Sequence, residues 1–133
     1  MAPAKNQSTA VTEAIRVHTR SVYITERSDP ANGFYFFAYR IRITNEGTLP
    51  ARLISRHWVI MDGLGRIEEV KGEGVVGEQP RLEPGQSHEY TSFCPLPTPW
   101  GQMRGSYQML RDDGSTFDAQ IAPFDLVPAH FLN

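Results

Sequence analysis

Turn-forming residues punctuate this chain so often that little longer than a strand fits between them. Asn32-Gly33, Asn45-Glu46-Gly47, Asp62-Gly63 with Gly65, the run from Gly72 to Gly77, Pro84-Gly85, Pro99-Trp100-Gly101 and Asp112-Asp113-Gly114 all carry turn chemistry. Between them apolar and polar side chains alternate, most clearly at Phe37, Tyr39, Ile41 and Ile43 against Arg40, Arg42 and Thr44. The same period recurs in Ile15-Arg16-Val17, in Val22-Tyr23-Ile24 and from Ile54 to Ile60. It weakens but persists over 90–94, 103–110 and 116–121. No window carries an apolar stripe at helical spacing, and prolines interrupt the helix-friendly stretches. About seven short strands joined by hairpin turns predict an all-β, fibronectin type III-like (immunoglobulin-like) antiparallel β-sandwich. A single cysteine removes the Cys…Trp…Cys signature of true immunoglobulins, which favours the fibronectin-like variant.

At 133 residues the chain reads as one domain. Residues 1–10 are small and polar and read as a disordered tail, leaving 11–133 as a single sandwich domain. The net charge of −2, from 13 Lys and Arg against 15 Asp and Glu, supplies no general field for nucleic acid or an anionic membrane. No run of about 18 apolar residues would span a bilayer. The first ten residues hold no apolar leader, and the lone Cys94 fits a reducing compartment, so a cytoplasmic protein is expected.

Gly72-Glu73-Gly74-Val75-Val76-Gly77 spells a phosphate-cradle fingerprint, GxGxxG. Such a run holds pyrophosphate only where the last glycine opens a helix, and Pro80 and Pro84 forbid one here. Glycine amides could still form an anion nest flanked by Lys71 and Arg81, against which stand the carboxylates of Glu68, Glu69, Glu73 and Glu78. A tight structural loop is the plainer account. A binder of pyrophosphate, a nucleotide or a divalent cation through Gly72, Gly74 and Gly77 is the alternative. The acidic residues match no EF-hand spacing, and His18, His57, His88 and His130 form no HxH or HxxxH pair. No metal or cofactor is expected, and a small-molecule ligand is disfavoured.

Cys94 with His57 lacks a third group to complete a catalytic set, and Ser55, Ser87 and Ser92 sit in no nucleophile elbow. The chain therefore reads as no enzyme. Aromatic residues interleave with arginines from Tyr35 to Arg42, which suits base stacking, but the RNP motif is missing. The plainer reading puts Arg40 and Arg42 on a polar strand face that meets a protein partner. Pro95-Leu96-Pro97-Thr98-Pro99 reads as a stiff connector.

A family resemblance rests on Arg56-His57-Trp58 ahead of Asp62-Gly63-Leu64-Gly65, then Val70 to Pro80, Leu82-Glu83-Pro84-Gly85, Tyr90-Thr91-Ser92, Thr98-Pro99 with Gly101 and Met103, and Gly105-Ser106-Tyr107. In this order these pieces resemble the ApaG family, also called CorD. Looser similarity reaches Ser21-Val22-Tyr23, Phe36 to Tyr39 and Pro123-Phe124. The resemblance implies a fibronectin type III-like sandwich, a genetic link to cobalt resistance and magnesium efflux, and, from eukaryotic relatives, a protein-binding module. Phe93 departs from the family pattern, which has glycine after Thr91-Ser92. The expectation is thus a non-enzymatic adaptor for a protein partner, with any metal-ion effect indirect. Its contact surface is assigned to Gly74, Val75, Gln79 and Pro80, to Trp100, and to Arg40 and Arg42, while Trp58 is open to a core or a surface role. On this reading Gly74→Arg spares the fold and abolishes partner capture.

Overall fold

In the computed structural model, residues 4–131 are described, and they form nine strands and three single-turn 3₁₀ helices. The strands are β1 Gln7–Thr12, β2 Ile15–Tyr23, β3 Tyr35–Asn45, β4 Ala51–Asp62, β5 Ile67–Glu73, β6 Arg81–Leu82, β7 Ser87–Leu96, β8 Gly101–Arg111 and β9 Thr116–Leu126. All pair antiparallel. A front sheet has the order β1-β2-β3-β7, and a back sheet the order β5-β4-β8-β9, with β6 paired to β4. The all-β antiparallel sandwich expected from the alternation is the architecture found.

Alternation decides which side chains enter the space between the sheets. Ile15 and Val17 from β2, Phe37, Tyr39, Ile41 and Ile43 from β3, Leu53 and Trp58 from β4, Met103, Tyr107 and Met109 from β8, and Ile121, Phe124 and Leu126 from β9 form one core. Trp58 is its centrepiece. The indole meets Tyr39 at 5.3 Å, Phe124 at 6.0 Å and Tyr107 at 6.3 Å between ring centroids, all edge-on. Such contacts use the ring quadrupoles as well as apolar burial. Polar inward positions are satisfied by neighbouring strands: Thr19 Oγ1 bonds Ser8 Oγ at 2.6 Å, and Ser21 Oγ donates to the Asp125 carbonyl at 2.7 Å. Ser8 Oγ also donates to the Ala122 carbonyl, so these bonds lace β1 and β2 to β9 along one side of the sandwich. The opposite side, between the edge strands β5 and β7, stays open as a groove lined by Ile67, Val70, Phe93 and Pro95.

Two features depart from the sequence-based expectation. The strand count is nine among the described residues rather than about seven: 15–17 and 22–23 belong to one strand, which ends before Ile24, and β1, β5 and β6 are additional. The tail expected over residues 1–10 is ordered from Gln7, which pairs with Arg20; residues 1–3 lie outside the described residues. Backbone pairing to β2 and the side-chain bonds of Ser8 supply what the polar sequence lacks in apolar burial. The β1–β2 hairpin also turns through Glu13 and Ala14, both at positive φ (45° and 65°), where asparagine and glycine are the favoured residues. Combining Glu13→Asn with Ala14→Gly should relieve this and stabilise the protein by about 1 kcal/mol, after the larger unfolded-state entropy of glycine is counted. A urea midpoint shifted upward at unchanged slope would be the expected readout, and an unchanged or lower midpoint the contrary one.

Several carboxylates are tied down, with a consequence for acid stability. Burial pushes the Asp62 carboxyl up, but N–H bonds from Arg66 and Leu64 and the Arg66 guanidinium at 2.8 Å outweigh it and hold it below its ordinary value. Arg81 holds Asp112 down, the Ser115 hydroxyl and N–H hold Asp113 down, and Arg16 holds Glu46 down. A carboxylate lowered in the folded state adds stability that is fully present above its unfolded pKa and disappears as pH falls through the folded one. The thermal midpoint should therefore be level near neutrality and fall from about pH 4 downward. A midpoint independent of pH across that range would contradict these pairings.

Candidate functional site

The glycine run does not form a cradle. Lys71 and Gly72 lie within β5, opposite His57 and Arg56. The Arg56 guanidinium covers Gly72, where a Cβ would meet Nη2 at 2.7 Å, and its Nη1 donates to the carbonyls of Glu73 and Gly74. Past β5 the chain reverses in a tight turn in which Val75 N–H bonds the Glu78 carbonyl at 2.8 Å and Glu78 N–H bonds the Val75 carbonyl at 3.0 Å. Val76 and Gly77 fill its centre at φ 48° and 78°. Gly74, also left-handed at φ 63°, donates its N–H to the Ile54 carbonyl at 2.8 Å. Gln79 Nε2 donates to that same carbonyl at 2.9 Å, and Leu53 N–H donates to the Pro80 carbonyl.

Ile54 sits at a β-bulge, where the register of β4 against β8 slips between Leu53 and Ser55. A bulge leaves one residue without its ladder partner. The loop from Gly74 to Pro80 supplies the missing hydrogen bonds to the bulged segment, and it buries Val75 completely as a core plug. Of the groups expected to form an anion nest, the Gly74 amide is already donated to a backbone carbonyl, as are those of Val75 and Glu78, and Arg81 is held by Glu83 and Asp112. The forecast for Gly74→Arg is corrected. A Cβ on Gly74 would run into the Glu78 backbone carbonyl, so the substitution strikes the fold itself.

The other assigned residues do not converge with this loop. Val75 is inaccessible, and Trp58 belongs to the core at 2% exposure. Trp100 is 47% exposed but packs beside Gly63 past the far end of β4, with Thr98 Oγ1 accepting from Gly63 N–H and donating to the Trp100 carbonyl. Gly63 is nine residues from Ile54 along a strand, roughly 30 Å. Arg40 and Arg42 lie on the front sheet's outer face, away from both. The expected surface is therefore three separate places. Cys94 and His57 also stand apart, on β7 of the front sheet and β4 of the back sheet. Burial, with Glu68 adding to it, pushes the Cys94 thiol up to about 12, which removes its nucleophilic form at neutral pH. His57 Nε2 is bound to Glu69 at 2.7 Å. No helix among the described residues is long and apolar enough to cross a membrane.

What the structure does assemble is the outer face of the front sheet. Register sets Arg16, His18, Arg20 and Val22 of β2 beside Thr44, Arg42, Arg40 and Ala38 of β3, which are followed on β7 by Ser87, Glu89, Thr91 and Phe93. Phe36 lies between Phe34 and Phe93, with ring centroids at 6.0 and 5.4 Å, and the Arg27 guanidinium sits 4.6 Å over its ring. Phe34 is 40% exposed and Phe93 52%. Large apolar groups so exposed beside arginines have the composition of an interface core. Sequence reasoning found Arg40 and Arg42 but missed Arg20, Val22, Phe34 and Phe93. Reading Ile15–Tyr23 as one strand would have put Arg16, His18, Arg20 and Val22 on a common face.

The family model of the ApaG domain matches residues 25–111. The chain is 59% identical over 126 residues to Protein ApaG of Anaeromyxobacter dehalogenans (strain 2CP-C), covering 95% of this chain and 99% of that protein. It is 50% identical over 119 residues to Protein ApaG of Chromobacterium violaceum, covering 90% of this chain and 94% of the relative. Its structure resembles the crystal structure of the ApaA protein from Bordetella pertussis, with a TM-score of 0.84 and 48% identity over 96% of this chain and 98% of that one.

Proposed function

The chain belongs to the ApaG domain family, and on that premise we propose that it is a non-enzymatic protein–protein interaction module. The observation that carries this reading is the outer face of the front sheet, where exposed Phe34 and Phe93 flank Phe36 beside Arg20, Arg40 and Arg42. Aromatic and arginine side chains dominate the energetics of protein interfaces, the aromatics because they bury much area for few frozen rotors and arginine because its planar fork makes several directed hydrogen bonds. Here they are presented by paired strands, which hold them in place before any partner arrives. The module acts in the cytoplasm, the compartment that a buried free Cys94 fits. Its link to cobalt resistance or magnesium efflux is indirect and runs through the partner.

Affinity capture from a host lysate tests the reading. The immobilised protein should retain a partner in near-stoichiometric amount, and Phe93→Glu, at an exposed edge position, should reduce the yield at unchanged thermal midpoint. Recovery no greater than from blank resin would sink the proposal, and equal recovery by Phe93→Glu would move the interface elsewhere.

A further inference from the structure

The front sheet's outer face carries an arrangement that costs stability. Residues directly opposite on an antiparallel pair stabilise it when their charges differ and destabilise it when they match. Here Arg20 stands opposite Arg40. Among the described residues, Glu46 answers Arg16 at 2.8 Å and Glu89 lies 3.4 Å from Arg40, while no carboxylate comes within ion-pair distance of Arg20 or Arg42. The chain as a whole carries −2, so this positive surface runs against its average. Glu89 stands opposite Arg42 on β7 and reaches Arg40, so what is left over is Arg20 opposite Arg40, and a local rule broken in this way marks a place where function sets the residues.

The apolar neighbour of these arginines is a hollow. Arg20, Val22, Ala38, Arg40 and Thr91 line a depression of about 290 Å³, and Val22 is 55% exposed beside it. Phe93 stands opposite Ala38 in register. Resting on the interaction-module reading, we infer that this face docks an acidic segment of the partner protein, with carboxylates on Arg20, Arg40 and Arg42 and one apolar side chain in the hollow. The guanidinium fork matches a carboxylate in two-point hydrogen bonds, and complementary charge across an interface speeds encounter and fixes register. A nucleic acid shares the negative charge but needs open aromatic faces for its bases. Phe34 and Phe93 are exposed but stack on Phe36, which is itself covered by Arg27, and Glu68, Glu69 and Glu73 on β5 present an acidic edge beyond the groove that Phe93 lines, which repels a phosphate backbone.

The test is fluorescence anisotropy of a labelled peptide with two glutamates on each side of a central leucine-phenylalanine pair. The wild type should bind it saturably, more weakly as ionic strength rises from about 0.05 to about 0.5 M. It should not bind the lysine counterpart of the peptide. Combining Arg20→Glu with Arg42→Glu should weaken binding about tenfold or more. In the same double variant Arg20→Glu turns the like-charge pairing with Arg40 into an opposite-charge one while Arg42→Glu sets a carboxylate opposite Glu89, so it should melt close to the wild type. Arg20→Gln with Arg42→Gln gives the same test should charge reversal disturb folding. Failure of the glutamate peptide to bind, equal binding by the variants, or displacement of the peptide by a single-stranded oligonucleotide at lower concentration would each overturn the inference. A wild-type dimer that the double variant disperses would assign the face to a second copy and overturn it as well. If peptide binding fails while wild type and double variant capture the same protein from lysate, this inference falls and the interaction reading survives; if capture also fails, both fall.

Discussion

Gly74→Ala should cost the protein about 3–5 kcal/mol, a large share of the stability of a domain this size. Two contributions act together. At φ 63° an L side chain pays the left-handed penalty of about 1–2 kcal/mol. The added Cβ would also press on the Glu78 backbone carbonyl, which the short Val75–Glu78 turn holds in place. Gly77→Ala is the internal control: its φ is 78°, but nothing lies within 4 Å of a Cβ there, so only the first contribution applies, about 1–2 kcal/mol. Chemical denaturation of both variants separates the two roles. If Gly74→Ala and Gly77→Ala lose the same amount, the loop does not clamp the bulge at Ile54 as described.

Trp58→Ala should be comparably severe, at about 3–5 kcal/mol. The indole touches Tyr39, Tyr107 and Phe124 at once, so its removal opens a cavity between both sheets that backbone paired on each side cannot collapse into. Trp58→Phe should recover much of that loss, because the indole Nε1 has no hydrogen-bond partner and only volume is given up. Thermal unfolding would read the order wild type, Trp58→Phe, Trp58→Ala. A Trp58→Ala midpoint within a degree or two of wild type would mean the ring does not tie the sheets together.

The sequence disclosed the sandwich but not all of its strands, for local reasons. β1 was hidden because its hairpin turns on Glu13 and Ala14, neither of which signals a left-handed turn, and because Gln7, Ser8 and Thr9 read as tail. β2 looked like two pieces because the inward positions Thr19 and Ser21 are polar; the bonds that satisfy them come from Ser8 and Asp125, remote in sequence. β5 is mostly exposed, and its glutamates read as an acidic rim.

The candidate site was legible only in part. Prolines 80 and 84 correctly ruled out a helix after the glycines, yet the loop's structural role depends on a bulge about twenty residues upstream, which no local pattern reveals. Arg40 and Arg42 were visible on one strand. Their like-charged neighbour Arg20 and the exposed Phe93 join them only through strand pairing.

Amide-shift mapping on ¹⁵N-labelled protein tests the central claim most directly, with the glutamate peptide in one titration and pyrophosphate, then ATP with magnesium, in another. The expected result is saturable peptide shifts along Arg20 to Val22, Ala38 to Arg42 and Thr91 to Phe93, with the resonances from Val70 to Arg81 unmoved by any ligand. Saturable shifts confined to Val70–Arg81 on adding pyrophosphate or ATP, with the front sheet silent toward the peptide, would contradict the account and return the glycine loop to the role of binding site.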